Sequence, residues 1–112
     1  MNKSSTRYVS HQQEKQIAKT VGGKLQTNSG ATLFSKGDIK TNDWLFEAKT
    51  CMKQQKQFSI KEEWLLKLAV QSFAMNKEYN ALVFDFGPDT ANYYILNEKT
   101  MKKILKILSN EV

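Results

Sequence analysis

The stretch Trp44-Leu45-Phe46-Glu47-Ala48-Lys49-Thr50 decides how the rest of the chain is read. Trp, Phe and Thr favour a pleated surface, and with a side-chain period of two Leu45, Glu47 and Lys49 share one face while Trp44, Phe46 and Ala48 share the other. One face is wholly apolar, which predicts an interior strand. A carboxylate and an ammonium two residues apart on such a strand are costly to bury unless something compensates. A divalent cation and a phosphate would do so. Upstream, Asp38 follows Gly37 in Gly-Asp-Ile-Lys-Thr, and Asn42-Asp43 supplies turn chemistry before the next strand. The two segments are expected to pair as an antiparallel hairpin that sets the Asp38 carboxylate beside Glu47. Two converging carboxylates are the oxygen ligands Mg²⁺ takes, with positions left for water and a phosphate oxygen. Lys49 would then orient or deprotonate the attacking water and neutralise charge developing on the phosphate.

Outward from this stretch, 112 residues suit one domain with one modest core. No run approaches the ~20 apolar residues of a membrane span. The first ten residues are polar, without the apolar core of an export signal, and are read as a flexible arm (1–10) ahead of the folded domain (11–112). A single cysteine, Cys51, cannot form an internal disulfide. That agrees with a reducing, cytoplasmic setting: nucleoid-associated or, for a phage-encoded chain, the host cytoplasm. Seventeen Lys and Arg against eleven Asp and Glu give a formal net charge of +6, which favours a polyanionic partner. The lysines are spread along the chain rather than gathered on one amphipathic helix, so nucleic acid is favoured over a membrane surface.

The first helix is expected from His11 to Val21, capped by Ser10 and ended by Gly22-Gly23. Its apolar positions are Ile17, Ala18 and Val21. Glu14 falls on the same stripe, either as an edge residue reaching solvent or as an acid placed for a reason. His11 lies one turn earlier. A strand over Lys24–Thr27 leads to a loop with Asn28-Ser29-Gly30-Ala31. After Thr50 comes a basic loop with Lys53 and Lys56. A second helix is expected from Ile60 to Met75, with Ser59 and Glu62 forming a capping box. Trp64, Leu65, Leu68, Ala69, Ser72 and Met75 form its apolar face, which Leu66, Val70 and Phe73 broaden to give a mostly buried helix. Lys67 and Gln71 align at i and i+4. Strands over Asn80–Phe86 and Ala91–Leu96 are joined by the Gly87-Pro88-Asp89 turn. Asn97 caps a last helix, Glu98 to Ser109, with Met101, Ile104, Leu105 and Leu108 on one side and Lys99, Lys102, Lys103 and Lys106 on the other. The expected architecture is α/β, a single domain with a central mixed sheet flanked by helices.

Asp38 followed by Glu47-Ala48-Lys49, with Ser29-Gly30-Ala31 upstream, resembles the signature of the PD-(D/E)XK nuclease superfamily, and within it the archaeal and phage Holliday-junction resolvases. The resemblance extends over roughly His11 to Leu108 and implies a restriction-endonuclease-like fold. It implies a Mg²⁺- or Mn²⁺-dependent endonuclease with Asp38 and Glu47 as metal ligands, Lys49 at the attacking water, Glu14 as the first-helix acid completing the metal site, and Ser29 near the scissile phosphate. It implies DNA as partner, with a four-way junction as substrate and a homodimer to make two symmetric nicks. The alternatives are a nuclease cutting flaps or linear duplex, and a catalytically silent nucleic-acid-binding module of the same fold. Where the archaeal enzymes tend to carry arginines, this chain has Lys15, Thr27 and Asn28, so junction contacts would differ.

Overall fold

In the computed structural model, residues 5–26 and 38–110 are described. They form α1 (Thr6–Val21), β1 (Lys24–Leu25), β2 (Ile39–Lys40), β3 (Trp44–Lys49), α2 (Glu62–Ala74), β4 (Tyr79–Phe84), β5 (Tyr93–Ile95) and α3 (Glu98–Ser109). The five strands make one mixed sheet in sequence order. The hairpin expected across Asn42-Asp43 is present, with Ile39 opposite Phe46 and Lys40 opposite Leu45. β3 then pairs in parallel with β4, Glu47 opposite Leu82 and Lys49 opposite Phe84, with α2 as the crossover between them. This is a small α/β domain whose central strand is β3.

The alternation read from the sequence sorts the core. On one face of the sheet Phe46 packs with Ile17 of α1, Ile39, Ala81 and Val83; on the other Leu45 packs with Leu68 of α2 and Leu82. α1 and α2 therefore cover opposite faces. Leu45 and Leu82 are fully buried, so truncating either to Ala is expected to cost about 2–5 kcal/mol.

Several expected boundaries are corrected. α1 begins at Thr6, not His11, because Ser5 rather than Ser10 is the cap: its Oγ accepts from the Tyr8 amide at 3.1 Å. Its buried stripe, Val9, Gln13 and Ile17, starts two turns before Ile17, so residues 6–10 belong to the domain and not to an arm. At its end Gly22 takes the left-handed φ of 68° that closes the helix. Gly23 then lets β2 approach, since a Cβ there would stand 2.7 Å from Ile39 Cγ2. The capping box at Ser59 does not form. Lys61 occupies the cap position of α2 without a side-chain bond. That helix is also less buried than expected, because Leu66, Val70 and Phe73 remain 60%, 66% and 86% exposed on its outer side. α3 has the expected bounds and cap, the Asn97 Oδ1 accepting from the Thr100 amide at 2.8 Å. Yet Thr100 is its only buried residue, and Met101, Leu105, Ile107 and Leu108 face outward.

Candidate active site

Asp38 is positioned by the sheet's own backbone. Its amide donates to Phe46 O and its carbonyl accepts from the Gln26 amide, both at 2.9 Å, so it is held between β1 and β3. From there its Oδ2 accepts from the Ala48 amide at 2.7 Å. The carboxylate is thereby fixed against the middle of the Glu47-Ala48-Lys49 triplet, where the hairpin reading put it. Burial raises the Asp38 pKa above the usual range, opposed by the Ala48 hydrogen bond and the nearby Lys49 charge.

Glu47, on the α2 side of β3, is pushed up to about 7, first by burial and then by repulsion from Asp38; Lys49 and Lys67 pull the other way. Glu14 on α1 is also raised to about 7, by burial and again by Asp38. The first-helix acid is therefore near enough to the strand carboxylates for its charge to be felt: Asp38 raises its pKa, and it in turn helps raise that of Glu47. Three carboxyls withdrawn from water and set against one another disfavour their own ionisation. Protons relieve that repulsion, and a cation placed among the carboxyls would do the same. Among the described residues no three His, Cys, Asp or Glu side chains stand close enough to form a ready metal cage.

Lys49 Nζ lies 4.2 Å from the centroid of the Trp64 ring, so α2 supplies an aromatic face that orients the ammonium. Glu47, Lys49, Glu63, Trp64, Lys67 and Gln71 line a groove of about 410 Å³ between β3 and α2. Gln71 is 8% exposed and reaches this groove, as its alignment with Lys67 allows. Trp64, expected on the apolar face of α2, and Lys67, expected only to align with Gln71, both line the groove. Their spacing with Gln71, i, i+3 and i+7, is the signal for a shared helix face. His11 is half-buried on α1 and makes no hydrogen bond to the described site residues. Ser29, with Gly30 and Ala31, lies outside the described residues. No helix among the described residues is long and apolar enough to cross a membrane. No family model, curated protein or solved structure matches this chain.

Proposed function

We propose that the chain is a metal-dependent DNA endonuclease of restriction-endonuclease-like fold, acting on branched DNA with the four-way junction as its substrate. The observation that carries this reading is the Asp38 carboxylate fixed by the Ala48 amide beside Glu47, with Lys49 on the same strand and Glu14 coupled from α1. Mg²⁺ is commonly bound through one or two protein carboxylates plus substrate phosphate, so the Asp38–Glu47 pair suits it without a closed cage. Held by Asp38 and Glu47, with Glu14 adding negative charge, Mg²⁺ or Mn²⁺ would polarise the scissile phosphate and acidify the attacking water. Lys49 orients that water and offsets the charge that gathers on the phosphate as the P–O bond breaks. Lys67 and the net charge of +6 favour approach of the DNA backbone. Two nicks of matched polarity need two sites, and the exposed apolar side of α3 with Tyr93 offers material for a two-fold homodimer.

A second reading, a catalytically silent DNA-binding module, draws on the lack of a three-ligand group among the described residues. Labelled four-way junctions and linear duplexes incubated with the protein in Mg²⁺ or Mn²⁺ separate the two. The enzyme reading expects paired nicks on the junction that Asp38→Asn and Glu47→Gln abolish. Binding without cleavage under all these conditions leaves the silent module. Linear duplex cut as fast as the junction by a sedimenting monomer removes the resolvase assignment while keeping the site.

A further inference from the structure

Lys49, Phe84 and Tyr93 form one row across the sheet. Lys49 of β3 stands opposite Phe84 of β4, and Phe84 opposite Tyr93 of β5. Paired residues share a face, here the α2 side on which Glu47 and Lys49 line their groove. Neighbouring strands lie about 4.8 Å apart, so the Tyr93 backbone is roughly 10 Å across the sheet from that of Lys49. The row sits at the carboxyl ends of the parallel strands β3 and β4, where open α/β sheets place their ligands.

The outer end of this row is aromatic and open to solvent. Phe84 stacks with Phe58, on the segment before α2, at 5.3 Å between centroids and with Tyr93 at 5.7 Å. Phe86 meets Phe84 and Tyr93 edge-on at 5.5 and 5.9 Å. Tyr93 nevertheless keeps 52% of its surface exposed. Phe86 and Tyr93 line a hollow of about 540 Å³ together with the exposed Gln54, Gln55 and Lys56. No acidic side chain among the described residues lines it. The basic loop is fastened beside the rings, the Gln55 amide donating to Phe86 O at 2.8 Å and Gln54 Nε2 to Pro88 O at 2.9 Å.

Exposed rings that already stack on one another offer a further flat partner the same contact, and every nucleobase has a π-face to present. Lysines beside the rings would meet phosphates: Lys56 at the hollow, and Lys49 and Lys61 against the Trp64 ring, 4.2 and 5.8 Å from its centroid. An apolar peptide would fill the hollow without needing that charge. We propose that the Phe86–Tyr93 surface is a stacking platform for unpaired bases of a DNA strand whose phosphate lies at Lys49. This rests on the reading of the Glu47–Lys49 groove as a DNA site, catalytic or silent. It adds a substrate feature to that reading, a branch that carries unpaired nucleotides, because bases inside a duplex are already stacked and cannot take the platform.

The test is fluorescence anisotropy of the intact chain, without divalent metal so that no cutting intervenes, on one labelled duplex that is blunt, carries a thymine tail, or carries the same tail with abasic sites. The tailed duplex is expected to bind about tenfold more tightly than the blunt one, and the abasic tail, which keeps the phosphates and removes the bases, to lose that gain. Tyr93→Ala is expected to lose it too, with blunt-duplex affinity and melting temperature near those of the natural chain, while Tyr93→Trp retains it. Cleavage in Mg²⁺ is scored separately. A chain that prefers the tail but cuts no DNA keeps this inference and loses the nuclease reading; one that cuts but binds tail and abasic tail equally loses this inference alone. No preference for the tail, a preference that survives loss of the bases, or an undiminished preference in Tyr93→Ala overturns the inference. So does a Tyr93→Ala chain that sediments as a monomer where the natural chain is a dimer, since the ring then belongs to the contact between copies.

Discussion

Asp85 and Glu47 are both carboxylates withdrawn from solvent near the ends of adjacent parallel strands, yet their surroundings differ in kind. Asp85 is met by donors, the Thr50 hydroxyl and the Gly87 amide, which hold the loop after β4 in place. Glu47 is met by Asp38 and Glu14, carboxyls like itself, with Lys49 and Lys67 only partly offsetting them. The first arrangement stabilises the fold. The second works against it, and the proposed function gives that opposition a reason.

The contrast is broken most severely at the carboxylates. Asp38→Asn or Glu47→Gln is expected to lower cleavage by on the order of 10²–10³-fold, the scale of losing one charge-stabilising group. The melting temperature should hold or rise in the same variants, because each relieves repulsion. A variant that loses stability and activity together would make Asp38 a structural residue like Asp85. The converse change, Asp85→Ala, leaves the Thr50 hydroxyl and the Gly87 amide without their acceptor. About 1–3 kcal/mol of stability should be lost in denaturant unfolding, with cleavage per folded molecule nearly unchanged.

A smaller effect sharpens the comparison through pH. Glu14 and Glu47 rise from an ordinary 4.5 to about 7 in the folded chain, so between those values the folded state holds more protons than the unfolded one. Stability therefore falls as pH rises from about 4.5 through 7, the reverse of a paired carboxylate. Thermal melts of the metal-free protein should show that decline, and Glu14→Gln should flatten it.

Much of this site was legible because β3 carries its own code. The alternation of Trp44, Phe46 and Ala48 against Leu45, Glu47 and Lys49 fixes which face each side chain meets, and Asn42-Asp43 fixes the hairpin that delivers Asp38. Other features were hidden for physical reasons. Polar Gln13 occupies the buried stripe between Val9 and Ile17, which disguises the first turns of α1, and the cap is Ser5 rather than the expected Ser10. Apolar periodicity in α2 and α3 marks an amphipathic face but not what covers it, so the exposure of Phe73 and Leu105 could not be read from spacing. The Gln13 side chain donates to residues 36 and 79 positions away, and no local pattern encodes such contacts.

The central proposal, that Asp38, Glu47 and Glu14 share one charged site able to take a cation, is tested most directly by ¹³C NMR titration of the glutamate side-chain carboxyl carbons, with and without Mg²⁺. Without the ion, Glu14 and Glu47 should titrate near 7. With Mg²⁺ both midpoints should fall, and in Asp38→Asn they should already lie lower and respond less. Midpoints for Glu14 and Glu47 near 4.5, unmoved by the ion or by Asp38→Asn, would contradict the account.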